Sequence, residues 1–150
     1  MNPHKFIITK YNPTFAEQTV SMWRQTKERA IGQKEKHSLE NHIYFLNNIL
    51  PEQYEIEVVL NDDDQVVGMI AYNESEISQL YIHIDYQGFG IGQRLLDKAK
   101  EQSSGRLTLY TFEVNENARR FYEKNGFKII SRGHENEENL PDILYEWKSN

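Results

Sequence analysis

The chain has 150 residues, the size of one domain able to bury a single core, and no cysteine, which excludes disulfides, a thiolate nucleophile and a cysteine metal site. Its formal charge of −6 runs against a nucleic-acid footprint, which needs clustered Lys and Arg, and is compatible with a cationic partner such as an amine. No apolar run reaches the roughly 18 residues of a membrane span and the N-terminus lacks a signal-peptide pattern, so a cytoplasmic protein bound to neither membrane nor nucleic acid is expected.

In chain order, Lys5 to Lys10 reads as a short strand. Thr14-Phe15-Ala16-Glu17 is a capping-box pattern that opens a helix through about Lys27, with Ala16, Val20 and Trp23 on one side. Ser38 can cap a second helix, in which Leu39, Ile43, Leu46 and Leu50 recur at helical spacing and Pro51 stands just beyond the end. Tyr54, Ile56, Val58 and Leu60 alternate with Glu55 and Glu57, the pattern of a half-buried strand. After the turn cluster Asn61 to Asp64 come strands over Gln65 to Tyr72 and Ile77 to Ile84. A third helix carries Ile91, Leu95, Leu96 and Ala99 on one face. A fifth strand, Arg106 to Phe112, a helix after Asn115, and strands over Lys128 to Ser131 and Ile143 to Trp147 complete the order. No repeat or linker divides residues 1–150, so a single domain is expected.

The segment Tyr81-Ile82-His83-Ile84-Asp85-Tyr86-Gln87-Gly88-Phe89-Gly90-Ile91-Gly92 joins a strand to the third helix. Its alternating glycines bring bare backbone N–H groups to the positive end of that helix, a geometry suited to a pyrophosphate. The spacing is wrong for two common nucleotide motifs. Leu95 stands where the dinucleotide fingerprint wants its last glycine, and no Gly-Lys pair exists to make a P-loop.

A second segment, Asn115-Glu116-Asn117-Ala118-Arg119-Arg120-Phe121-Tyr122-Glu123-Lys124-Asn125-Gly126-Phe127, reads as a helix with both ends marked. Asn115 can cap its first turn, and Asn125-Gly126 supplies the left-handed residue that ends it, with Phe127 folding back. By composition alone Tyr122 reads as a core aromatic, because aromatics at helical spacing usually pack.

Together the segments resemble the two signatures of the GCN5-related N-acetyltransferase (GNAT) family. Gln87, Gly90 and Gly92 match Gln/Arg-x-x-Gly-x-Gly/Ala. Asn115, Ala118, Phe121 and Tyr122 match Asn-x-x-Ala-x-x-Phe-Tyr, followed by Gly126-Phe127. The resemblance implies an α/β (mixed α+β) fold with a central, largely antiparallel seven-stranded mixed sheet and helices on both faces. It implies an N-acetyltransferase that moves an acetyl group from acetyl-coenzyme A, with no metal, to a primary amine of a small molecule or peptide, by direct transfer in a ternary complex. It places the cofactor on Leu80, Tyr81, Ile82, Gln87, Gly88, Phe89, Gly90, Ile91, Gly92, Gln93, Asn115 and Ala118, with a sheet splayed beside Leu80 to Ile82, and makes Tyr122 the general acid.

Some members carry a general-base Glu at the position held here by Tyr110, which leaves Glu76, His83, Glu113 or a water chain as routes for the proton. The resemblance also implies that Trp23, Arg24, Arg29 and His37 line the acceptor cleft. The loop Gly133 to Asp142 contains four carboxylates and neither Lys nor Arg; Glu137 and Glu138 are candidates to hold a cationic acceptor, against a reading as solvated hairpin. A monomer or a homodimer fits. The alternative function is a non-catalytic acyl-coenzyme A sensor, with a nucleotide-binding regulator further behind.

Overall fold

The computed structural model describes residues 5–150. The expected 1–150 domain therefore begins outside the described residues. Among the described residues, seven strands form two antiparallel sheets. The first sheet has the order β1 (Ile7–Lys10), β2 (Glu55–Leu60), β3 (Val66–Tyr72), β4 (Ile77–Ile82). In the second, β7 (Asp142–Lys148) lies between β5 (Arg106–Phe112) and β6 (Lys128–Gly133). The sheets meet through one parallel bridge, Glu76 to Thr108, where Thr108 N donates to Ser75 O at 3.1 Å. Beyond that bridge β4 and β5 separate. The expected seven-stranded sheet is thus two sheets fastened at one end and open at the other.

Apolar clusters cover both faces. Val58, Met69 and Ala71 pack with Val20 and Trp23 of α1 (Ala16–Ile31), while Val59 and Ile70 pack with Leu95, Leu96 and Ala99 of α3 (Ile91–Gln102). Every residue of β3 is buried, as a central strand between two helical layers requires. The half-buried reading of β2 needs correction at Glu57, which is 5% exposed. Its carboxylate accepts from Tyr72 Oη at 2.5 Å and pairs with Lys98, so α3 is tied to the sheet by a satisfied buried charge.

The helix ends differ from expectation in physically clear ways. The Thr14 capping box does not form: Asn12 Oδ1 accepts from Thr14 N at 2.9 Å and caps a short 3-10 turn, Pro13–Phe15, that leads into α1. That helix runs past Lys27 to Ile31, where Gly32 takes φ +73°. Ser38 does cap α2 (Leu39–Tyr44), but the helix widens into a π-turn over Phe45–Ile49 and closes with a 3-10 turn, Leu50–Glu52. The register then buries His42, Leu46 and Leu50, leaves Leu39 exposed, and turns Phe45 and Ile49 outward. No described helix is long and apolar enough to cross a membrane.

Candidate active site

The gap between β4 and β5 opens on both sides of the molecule. His83 N donates to Val67 O at 2.8 Å, and antiparallel pairing repeats every second residue, so Tyr81 and Gln79 share the bonded positions facing β3. The backbone groups of Leu80 and Ile82 therefore point into the gap. Gln87 closes one of them, its Nε2 donating to Ile82 O at 3.1 Å.

On one side lies a cleft of about 890 Å³ whose lining includes Ile82, the glycine turn and the start of α3. Gly88 and Gly90 take φ of +89° and +81°, a region that disfavours any residue with a β-carbon, and a β-carbon at either would meet no protein atom within 4 Å. Gly90 is the N-cap of α3 and supplies no side chain, so the N–H groups of Ile91, Gly92 and Gln93 open the helix without intrahelical partners. Arg29 of α1 reaches this cleft, not the acceptor side where it was expected. Of the proposed cofactor residues only Phe89 lies apart: its ring sits 5.9 Å from Phe6 and 6.2 Å from Tyr86.

The second cleft, of about 770 Å³, lies between α1–α2 and β5. The two clefts share Leu80, Tyr81, Asn115, Ala118 and Tyr122. Asn115 caps α4 (Glu116–Lys124), its Oδ1 accepting from Ala118 N at 3.3 Å. The far end of α4 closes as its sequence marks it: Phe127 N donates to Tyr122 O at 3.0 Å, Gly126 N donates to Glu123 O at 3.2 Å, and Gly126 takes φ +89°. These ends hold Tyr122 at 7% exposure with its ring 5.5 Å from Phe127. Its hydroxyl makes no hydrogen bond among the described residues, and burial, reinforced by the nearby Tyr81, raises its pKa above that of a free phenol. Tyr122 is thus a packed aromatic whose hydroxyl stays protonated on the wall the two clefts share.

The acceptor-side residues are more engaged than their sequence implies. Trp23 stacks on Tyr81, with centroids 5.7 Å apart and planes 25° apart. Arg24 lines neither cleft; its Nη1 donates to His37 O at 2.7 Å and braces the α1–α2 connection. Both loop carboxylates line the cleft and both are already paired. Lys27 Nζ lies 2.8 Å from Glu138 and 3.5 Å from Glu35, and His37 Nε2 lies 2.9 Å from Glu137. Gln33 donates to Glu138 O at 3.1 Å and Lys36 to Glu137 O at 3.0 Å. The loop is thus docked on the α1–α2 connection, and Asn136 folds it further through Leu140 and Asp142.

None of the three named proton acceptors faces the acceptor cleft. Glu76 accepts from Tyr54 at the closed end of the gap, His83 Nδ1 accepts from Asp85 N at 3.0 Å, and Glu113 lies 3.4 Å from Arg132. Glu35, His37 and His42 do line it. His42 carries no motif signal; only the helical register, three residues before Phe45 and four before Leu46, could have placed it. Among the described residues no group of three or more His, Asp or Glu is arranged to hold a metal ion.

Two clefts that share Leu80, Tyr81, Asn115, Ala118 and Tyr122, one of them carrying a bare glycine turn at a helix N-terminus, are an arrangement suited to group transfer. Residues 53–129 match the Acetyltransferase (GNAT) domain, about half of the chain, and the chain belongs to that family of acetyl-coenzyme A-dependent N-acetyltransferases. It is 29% identical over 122 residues to the peptidyl-lysine N-acetyltransferase YjaB of Salmonella typhimurium, covering 77% of this chain and 79% of that protein. To YjaB of Escherichia coli it is 34% identical over 87 residues, 58% of each. In fold it is similar to the apo-form solution structure of Escherichia coli YjaB, with a TM-score of 0.78 at 24% identity over 97% of this chain and 99% of that one. The PaiA N-acetyltransferase of Thermoplasma acidophilum, solved with coenzyme A, aligns with a TM-score of 0.72 at 21% identity over 96% and 99%.

Proposed function

We propose that this chain acetylates a primary amine of a small molecule or peptide by direct transfer, with acetyl-coenzyme A in the glycine-side cleft and the amine in the acceptor-side cleft. The observation that carries this reading is that the two clefts share the wall on which Tyr122 stands. The bare N–H groups at the start of α3 suit the pyrophosphate, with Arg29 adding a positive charge on the same side. The outward backbone groups of Leu80 and Ile82 suit the pantetheine amides, and an N–H there can polarise the thioester carbonyl. The amine nitrogen bonds to the carbonyl carbon as the carbon–sulfur bond breaks. One proton leaves the nitrogen through the acceptor cleft, and Tyr122 donates one to the departing sulfur. Residues 1–150 act as one domain in this reading, in the cytoplasm, as a monomer or homodimer.

Thiol release from acetyl-coenzyme A across an amine panel, beside calorimetry of acetyl-coenzyme A binding, tests it. Amine-dependent release is expected. Tight binding with no release from any amine would favour a sensor instead.

A further inference from the structure

The acceptor cleft's charged side chains, Lys27, Glu35, Glu137 and Glu138, and its rim imidazole His37 satisfy one another. A lysine ammonium already occupies the place between Glu35 and Glu138 where a cationic substrate would otherwise be drawn. What the cleft leaves unsatisfied is of another kind. Tyr44 and Tyr110 are 61% and 69% exposed on its opposite lips, and Phe45 and Ile49 extend the same apolar surface beside Tyr44. The π-turn is the reason Phe45 and Ile49 face this way. Large side chains left in water around one concavity mark a place where an apolar body is bound.

Deeper in the same cleft stands one polar group without a partner. His42 is 8% exposed, its ring centroid 4.4 Å from that of Trp23. Its Nδ1 is sealed from solvent with no hydrogen-bond partner, and its Nε2 has none among the described residues. Because Nδ1 is sealed, Nε2 is the ring nitrogen that a molecule in the cleft would meet, and it is free to hydrogen-bond one. Because no protein hydrogen bond sets its tautomer, the ring is able to offer a lone pair to an amine N–H. Burial holds it neutral, with its pKa pushed down to about 4 against the opposing pull of Glu35.

We propose that the acceptor is a small primary amine on an aromatic or bulky apolar body, which lies between Tyr44 and Tyr110 while its nitrogen hydrogen-bonds His42. This rests on the acetyltransferase reading above and names the substrate class of that same site. A polycation gains little here, because every carboxylate in the cleft is engaged. A flexible lysine-bearing peptide presents a thin methylene stem where the cleft presents ring surfaces.

The test is steady-state thiol release from acetyl-coenzyme A with 2-phenylethylamine, cyclohexylmethylamine, spermidine and a lysine tripeptide. The two ring-bearing amines are expected to exceed the others in kcat/KM by about tenfold or more, the scale on which apolar pockets discriminate. Tyr110→Ala, at an exposed position, should raise KM for 2-phenylethylamine and leave KM for acetyl-coenzyme A unchanged. His42→Phe, which keeps a ring, and His42→Gln, which keeps a hydrogen-bonding group, should differ: about a tenfold rise in acceptor KM for Phe and partial recovery for Gln. Preference for spermidine or the peptide would overturn this inference and leave the acetyltransferase reading standing. So would unaltered acceptor kinetics in both Tyr110→Ala and folded His42→Phe. Binding of acetyl-coenzyme A without turnover of any amine would overturn both.

Discussion

Lys27 Nζ lies 2.8 Å from Glu138 Oε2, across 111 residues of sequence, and this contact pins the β6–β7 loop to helix α1. Burial opposes the ammonium most strongly, but the hydrogen bond to Glu138, with Tyr81 and Glu35 nearby, outweighs it, so the Lys27 pKa stands above its ordinary value. Glu138→Gln removes a partner from a largely buried cation. The expected cost is about 1–2 kcal/mol of stability, seen as a lowered melting temperature. The variant should also lower turnover, because the loop forms one wall of the acceptor cleft, while calorimetry shows acetyl-coenzyme A affinity unchanged. An acceptor KM that rises simply in step with lost electrostatic attraction, and collapses with salt, would instead assign Glu138 to direct amine binding.

Tyr122→Phe is expected to reduce kcat by about 10²–10⁴-fold with little change in acetyl-coenzyme A affinity. The phenol hydroxyl bonds nothing among the described residues, so its removal should leave the melting temperature nearly unaltered. Single-turnover rates equal to wild type would reduce Tyr122 to a packing residue.

The two motif segments were legible because each writes its geometry locally. A glycine at +81° before a helix, and a capping Asn with a Gly at the other end, act over a few residues and do not depend on distant partners. The strand order followed from alternation, and the open gap from the family resemblance. The acceptor side was less legible for the opposite reason. Glu138 with Lys27 and Glu137 with His37 are pairings across 111 and 100 residues, and no local pattern signals them. The expected apolar face of the second helix failed at Leu39, which is the first residue of that helix and is left 41% exposed.

The glycine turn is best tested with alanine. Gly90→Val would be strained by the left-handed backbone whatever space surrounds it, so a loss of affinity in that variant would not separate ligand contact from backbone strain. A β-carbon at Gly90 meets no protein atom within 4 Å, which limits the cost of Gly90→Ala to backbone strain of about 1 kcal/mol. Gly92, by contrast, does not occupy the left-handed region, and its added β-carbon would make ordinary contact at 3.5 Å with the Phe121 ring. Gly92→Ala should therefore keep wild-type stability. Both variants are expected to weaken acetyl-coenzyme A measurably by calorimetry at temperatures where they remain folded. Unchanged affinity in both would move the pyrophosphate away from this turn.

The pair formed by His37 and Glu137 makes the loop contact sensitive to pH. Hydrogen bonding to Glu137, then its charge, raises the His37 pKa above the usual 6.5. A group whose folded pKa is raised contributes stability that is fully present below its unfolded value and is lost as pH climbs through the folded one. Docking of the loop by this contact should therefore be complete below about pH 6.5 and weaken as pH rises above it. Because the pair is solvent-exposed, the effect should shrink as salt is added. The measurement is an NMR titration of the His37 ring. The midpoint should lie above 6.5 in the wild-type protein and return toward 6.5 in Glu137→Gln. If that variant leaves the midpoint where it was, Glu137 is not the partner that holds His37, and the loop must owe its position to Lys27, Gln33 and Lys36.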